Sequence, residues 1–226
     1  MRRIHPKSLL FAFWLSVVIS IAVVLRRLSE LVHPSSGHPP PMAALDATFS
    51  SHAALTVAHI VPAAIFVILA AAVLPRRRTG EWLRRLFFLF GGITGVTAYA
   101  MSRYSIGGWV ERSAVLVFDT WFLYSLSRGY RAHVNGNGVQ MRRWTTRAVG
   151  VLLGIATTRP VMAVFMATSA RTHLMPNQFF GIAFWIGFSI NTIAVELWLH
   201  SKSRARIYAP ATPVSAHTAT HTATQS

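Results

Sequence analysis

The sequence contains no cysteine and very few acidic residues. Its 226 residues include only 6 Asp and Glu, and the charged residues together make up 12% of the chain. Without cysteine, disulfides, iron–sulfur clusters, thiolate zinc sites and cysteine nucleophiles are excluded. Soluble domains carry about 25% charged residues. The shortage of charge, together with 53% hydrophobic residues, therefore indicates a membrane protein.

The strong positive charge does not indicate a nucleic-acid-binding protein. The formal net charge is +16, from 22 Lys and Arg, but these residues occur in short clusters between apolar runs, where they anchor the cytoplasmic ends of membrane helices. The sequence contains no hydrolase elbow, P-loop, dinucleotide fingerprint or HExxH motif. We therefore predict a lipid bilayer as the main partner, no nucleic acid, no catalytic residues and no defined metal site.

Six apolar runs have about the length of a membrane span, which needs about 20 residues. They cover residues 9–25, 54–74, 86–102, 110–127, 147–167 and 178–199. A span must satisfy its backbone hydrogen bonds internally, and these runs are too long and continuous for barrel strands, so each is predicted to be a helix. The predicted fold is an all-α integral membrane protein, a six-transmembrane helix bundle in the plasma membrane or the bacterial inner membrane.

The Lys and Arg residues predict the orientation of this bundle. Most of them fall on the side that holds both termini, and positive residues concentrate in cytoplasmic segments, so both termini are predicted to be cytoplasmic. The other predicted segments are a cytoplasmic N-terminus at 1–8, an external loop containing Pro and His at 26–53, a five-helix membrane domain at 54–199 and a disordered Ser/Thr/Ala/His tail at 200–226.

Few ionisable residues lie away from the ends of the predicted spans. They are His59, Asp119 and Arg159, with Glu196 at a span end, and the amide Asn191 accompanies them. Such groups usually face the interior of a bundle and mark functional sites. Counted from the span ends at about 1.5 Å per residue, Asp119 and Arg159 lie at nearly the same depth. We predict an ion pair between them, either a structural link that fixes helix register or part of a polar cavity or anion site.

Histidines on the predicted outer side suggest a second kind of site. His52 and His59 share a helical face, and His33, His38 and His173 lie on the same side of the membrane. A haem or metal site could be assembled from them, although no spacing is diagnostic. Haem or quinone binding through His59 is therefore kept as an alternative.

The segment "MRRWTTRA" has the composition of a membrane interface. Its Arg142, Arg143, Trp144 and Arg147 combine snorkelling cations with an aromatic anchor. These residues could also bind anionic lipid head groups. Glu196 is within reach of the basic inner segments, and a structural salt bridge is expected there.

Small residues recur at four-residue spacing in two of the predicted spans. Gly91 and Gly95 form one pair, and Gly150 and Gly154 form the other. This spacing lets helix backbones approach closely in lipid. We predict helix–helix contacts within the bundle at both pairs, with a homodimer face as the alternative; the oligomeric state is left open.

Four stretches occur in a recognisable order along the chain. They are "LTVAHIVPAAIFVILAAAVLP", "LRRLFFLFGGITG", "RRWTTRAVGVLLGIATTRP" and "FWIGFSINTIAVEL". Together they resemble the predicted membrane proteins catalogued as domain of unknown function 2306, over roughly residues 54–198. The residues that match the pattern of that family are His59, Arg143, Trp144, Arg147, Arg159, Trp185, Asn191 and Glu196.

The chain departs from the family pattern at two places. The family usually has a His-Arg pair before the "GGITG" helix and a His before "RRW", where this chain has Gly80-Glu81 and Met141. If those histidines bind haem or metal in the family, this chain lacks them. The resemblance implies an integral membrane fold but no established reaction.

Three functions are consistent with these patterns. The first is a small transporter or membrane ligand-binding protein, with a polar intramembrane site around Arg159 and Asp119. The second is a haem- or quinone-binding redox protein that uses His59. The third is a non-catalytic membrane assembly component.

Overall fold

The computed structural model describes residues 6–33, 50–76 and 79–207, and these residues are almost entirely helical. They contain no β-strand, and a 3₁₀ turn at Ser102–Tyr104 is the main irregular element. The α-helices are α1 (Pro6–Val32), α2 (Ala53–Val73), α3 (Glu81–Met101), α4 (Gly108–Val134), α5 (Gly138–Leu152), α6 (Gly154–Thr172) and α7 (Pro176–Ile207). The predicted all-α fold is confirmed.

Four stretches of these helices are long and apolar enough to cross a membrane. They are Leu10–Val32, Ala53–Val73, Gly138–Ser169 and Asn177–Ser203. The third stretch joins α5 to most of α6, which are separated only by Leu153. Helices α3 and α4 do not meet the same measure of apolarity, since charged residues such as Arg84 and Glu111 fall within them. The count of six spans stays a prediction.

The helices pack side by side as neighbours in sequence. Helix α2 packs along α3, α4 along α5, and α6 along α7, while α4 also contacts α3 and α7, and α1 lies against α2 and α6. At one end of the bundle, Glu81 meets His133 from the end of α4. We call this the basic end, because it carries the α2–α3 and α4–α5 connections with their arginines. At the opposite end, His52 stacks on Tyr104 with ring centroids 3.8 Å apart.

The aromatic centre of the apolar core lies between α2, α3 and α4, and the core continues to α1 and α5. The rings of Phe66 and Phe87 have centroids 4.6 Å apart, and Phe122 meets Phe66 edge to face at 5.6 Å. Gly91 lies directly against this cluster, where an added Cβ would come within 2.7 Å of the Phe66 ring. An added Cβ on Gly95 would likewise collide with a side chain of α4. The predicted packing role of this glycine pair is confirmed.

The second glycine pair faces α7. A Cβ on Gly150 would collide with Val195, and one on Gly154 would lie 2.6 Å from the ring of Phe188. Both pairs therefore make helix–helix contacts within one chain, as predicted.

Several helices extend beyond the predicted spans. Helix α1 continues past Arg26 and Arg27 to Val32, since no helix-breaking residue precedes Pro34, so the loop does not begin at residue 26 as predicted. The connection between the predicted spans 110–127 and 147–167 is a tight turn at residues 135–137, in which Gly136 has φ of 69°. The remainder of the predicted external loop, at 34–49, lies outside the described residues.

Helix α7 also runs further than its predicted end at residue 199. It reaches Ile207, so the predicted disordered tail does not begin at residue 200. Two contacts support this extension: Arg143 donates to Ser203 Oγ at 3.0 Å, and Lys202 Nζ lies 4.0 Å from the centroid of the Trp198 ring. The rest of the predicted tail, and residues 1–5 of the predicted cytoplasmic N-terminus, lie outside the described residues.

Candidate functional site: a polar cavity inside the bundle

A cavity of about 290 Å³ lies in the interior of the bundle, bordered by residues of all seven α-helices. Most of its wall is apolar and includes phenylalanines of α4 and α7 such as Phe118 and Phe184. Three residues singled out from the sequence, His59, Asp119 and Arg159, line this one cavity. The fold thus brings them together from α2, α4 and α6.

His59 is oriented by a hydrogen bond to α3. Its Nδ1 lies 3.0 Å from Thr97 Oγ1, and the Thr97 hydroxyl donates to the carbonyl of Ile93 at 2.8 Å. Because the hydroxyl proton is used in that way, the Thr97 oxygen accepts from Nδ1–H of His59. Nε2 is therefore left as a hydrogen-bond acceptor.

The same Nε2 atom is the one that could ligate haem iron. His52, the partner considered from the sequence, stacks on Tyr104 and does not line the cavity. Within the described ranges, no group of three or more His, Cys, Asp or Glu side chains could hold a metal ion. The haem or quinone alternative through His59 stays a prediction.

The predicted ion pair between Asp119 and Arg159 is not formed. Asp119 is only 8% exposed and its Oδ2 is buried without a hydrogen-bond partner, and the buried Nε of Arg159 has none either. In the part of the chain that the structure describes, neither side chain takes part in an ion pair. The two groups share a cavity without neutralising each other.

Arg159 shares the cavity with two other arginines. Arg26 and Arg27 of α1 line the same cavity, and both make contacts with other residues. The sequence prediction placed both residues in an external loop and so missed them. The signal that could have found them is the uninterrupted helical sequence from Arg26 to the residue before Pro34.

Glu111 is a second carboxylate at the cavity that sequence reasoning did not single out. It is 8% exposed, and its Oε2 accepts the backbone N–H of Gly107 at 2.7 Å. Gly107 lies against the backbone of Gly181 on α7, so α4 and α7 approach closely at this point. Glu111 thus holds the start of α4 and is already occupied by that contact.

Ser20 adds a neutral polar group to the wall. It is 4% exposed, and its Oγ has no hydrogen-bond partner among the described residues. Ser20 Oγ, Asp119 Oδ2 and Arg159 Nε are therefore unpaired polar atoms of one cavity. Buried polar groups are normally hydrogen-bonded. A mostly apolar cavity with a few such groups has the composition of a small-molecule site.

Asn191 does not belong to this cavity, although it was predicted as a polar site residue. Its Oδ1 accepts from Thr157 Oγ1 at 2.7 Å, and its Nδ2 donates to the carbonyl of Gly150 at 3.2 Å. These bonds join α7 to both α5 and α6. Asn191 therefore stabilises the packing of these helices.

Glu196 is also away from the central cavity and forms the salt bridge expected from the sequence. Arg147 donates from Nε to Oε1 at 2.5 Å and from Nη2 to Oε2 at 2.9 Å. The guanidinium of Arg147 lies 4.6 Å from the centroid of the Trp144 ring, and that of Arg128 lies 5.4 Å from it. The predicted interfacial residues thus also connect helices at the basic end.

No family model, curated protein or solved structure matches this chain. The resemblance to the family catalogued as domain of unknown function 2306 therefore stays a prediction based on the quoted stretches. The function proposed below is therefore based on the geometry of the cavity and its lining residues.

Proposed function

We propose that this chain is a multi-pass protein of the cell membrane with six spans and both termini in the cytoplasm. The spans lie within α1, α2, α3, α4, the nearly continuous α5 and α6, and α7. Each carries one of the six apolar runs, and the clustered arginines at the basic end support a cytoplasmic assignment for that end. Because the chain has no cysteine, single cysteines at Asn135 and Arg103 can test this. They should react with impermeant reagents from opposite sides of the membrane, and labelling from the same side would contradict six spans.

We further propose that the central cavity binds a small anion with an apolar body. The protein would act as a small transporter or a membrane ligand-binding protein, with Arg159 as the main contact. The observation that supports this is the unpaired Nε of Arg159 inside the cavity. A buried guanidinium that forms no ion pair is costly in a medium of low dielectric constant, and a bound anion would offset that cost.

The chemistry of the wall restricts the ligand further. A guanidinium pairs well with a carboxylate or phosphate because it offers two parallel donors. The volume of about 290 Å³ suits a compact molecule, since ligand sites usually measure about 300–1,000 Å³. Asp119 disfavours a second anionic group nearby but can accept from a hydroxyl or amine. We therefore expect one anionic group, a small apolar body and a hydrogen-bond donor.

A thermal-shift panel in detergent tests this proposal. Small aromatic and branched carboxylates should raise the unfolding temperature, while the matching neutral amides should not. Arg159→Gln should abolish the shift, and Arg103→Gln, which removes an exposed arginine outside the cavity, should leave it intact. If no carboxylate shifts the wild type, or Arg103→Gln acts like Arg159→Gln, anion binding is wrong and a non-catalytic assembly role becomes the better interpretation.

A further inference from the structure

A second cavity, of about 750 Å³, opens beside α1 at the basic end of the bundle. Helix α1 makes its main contacts with α2 and α6, which leaves space between α1 and the pair α5 and α7. Apolar side chains of these three helices form most of the wall, among them Phe13, Val149 and Val195. Its volume falls within the range of about 300–1,000 Å³ that is usual for ligand sites.

One end of this cavity is basic and the other is apolar. Arg142, Arg143 and Lys202 border the end nearest the α4–α5 turn, and no Asp or Glu is among the described residues that line the cavity. The wall then continues between α5 and α7 as far as Asn191, deeper in the bundle. A positive rim above an apolar slot is complementary to an anionic head group with a hydrocarbon chain.

The basic groups are held in place by contacts within the bundle. Arg142 donates to the carbonyls of Leu74 and Arg76, just after α2, at 2.5 and 2.9 Å. Arg143 donates to Ser203 Oγ at 3.0 Å, and Lys202 Nζ lies 4.0 Å from the centroid of the Trp198 ring. Groups fixed in this way lose less conformational entropy when they bind a ligand.

We propose that this cavity binds one acidic phospholipid of the cytoplasmic leaflet. The phosphate would contact Arg143 and Lys202, and an acyl chain would lie along the apolar wall towards Asn191. This inference rests on the proposed membrane orientation and not on the ligand of the central cavity. A free phosphate would use the basic rim but leave the apolar slot unfilled, so the structure favours the whole lipid.

The test measures the unfolding temperature of the full chain in mixed micelles that contain phosphatidylglycerol or phosphatidylcholine. Phosphatidylglycerol should stabilise the wild type more than phosphatidylcholine does, and inorganic phosphate or glycerol 3-phosphate should have no effect. In the double variant Arg143→Gln/Lys202→Gln, the phosphatidylglycerol concentration that gives half of the maximal stabilisation (the midpoint) should rise by about tenfold or more. Arg131→Gln removes an exposed arginine of the same end that does not line the cavity, and it should leave the midpoint unchanged.

A second variant tests the apolar slot. Ala194→Phe places a ring in the wall between the basic rim and Asn191, and should weaken the phosphatidylglycerol effect while all basic groups remain. Its unfolding temperature without lipid shows whether the fold is intact. The proposal is overturned if both lipids stabilise equally, if free phosphate reproduces the shift, if Arg131→Gln weakens binding as much as the double variant, or if a folded Ala194→Phe protein binds normally. Labelling of the cysteine variants and anion binding in the central cavity are separate measurements, so failure here leaves them standing.

Discussion

Removing the carboxylate of Glu196 should weaken the attachment of α7 to α5. Arg147 makes two charge-assisted hydrogen bonds to this carboxylate, at 2.5 and 2.9 Å. The Glu196→Gln variant keeps the size of the side chain but removes its charge and one of the two accepting oxygens. The guanidinium of Arg147 then lacks a charged partner at a position where it is only 13% exposed.

The expected loss of stability follows from the partial burial of the pair. Exposed ion pairs contribute about 0–1 kcal/mol, and breaking a fully buried pair costs about 3–5 kcal/mol. Side-chain exposures of 13% for Arg147 and 29% for Glu196 place this pair between the two cases. We therefore expect Glu196→Gln to lower the free energy of unfolding by about 2 kcal/mol.

A double-mutant cycle separates the pair from other effects of the substitution. Unfolding by dodecyl sulfate in mixed micelles would be followed by circular dichroism for wild type, Arg147→Gln, Glu196→Gln and the double variant. The coupling energy should be about 1–2 kcal/mol. If the two single losses add with no coupling, the bidentate contact does not stabilise the bundle and the reasoning fails.

Three further predictions concern packing, pH and helix attachment. Gly91→Ala should lower the unfolding temperature because its Cβ meets a core ring at 2.7 Å, whereas Gly92→Ala has nothing within 4 Å and should not; equal effects would contradict the packing. The hydrogen bond from His133 lowers the pKa of Glu81 below its ordinary value of 4.5. The ionised carboxylate should therefore stabilise the folded chain above about pH 4.5, and this stabilisation should be lost as the pH falls through the lower pKa of the folded state. The pH dependence of the unfolding temperature should lose this contribution in the Glu81→Gln variant. A pH profile identical to that of the wild type would count against the contact. Asn191→Ala should cost about 1–2 kcal/mol in the same micelle unfolding assay, and no loss would mean that its two hydrogen bonds are not needed.

The helices were predictable because apolar runs of this length have few alternatives in lipid. Their ends were less predictable, since charged residues can extend a membrane helix beyond its apolar part. Helix α1 shows this: Arg26 and Arg27 end the apolar run, yet the helix continues to Val32. The same applies to α7, where side-chain contacts of Lys202 and Ser203 support helical residues in what the sequence suggested was tail.

The members of the central site were partly predictable. Their positions within apolar runs singled out His59, Asp119 and Arg159, and the structure places all three on the wall of one cavity. Depth does not give the direction in which a side chain points around the helix, and the direct pairing of Asp119 with Arg159 failed for that reason. Asn191 was misplaced by the same limitation, because it points towards α5 and α6 rather than into the cavity.

The central claim is that the interior cavity attracts small anions through Arg159. The chain lacks cysteine, so Ala63→Cys, at a residue that lines the cavity, gives a single reactive thiol. Its rates with methanethiosulfonate reagents that carry a sulfonate or a trimethylammonium group can be compared in detergent, with exposed Asn177→Cys as the control. We predict that the sulfonate reagent reacts with Ala63→Cys faster than the trimethylammonium reagent does, by about tenfold or more after each rate is divided by that at the control cysteine. Adding Arg159→Gln should remove this preference. Equal rates for the two reagents at Ala63→Cys, or a preference that survives Arg159→Gln, would contradict the account.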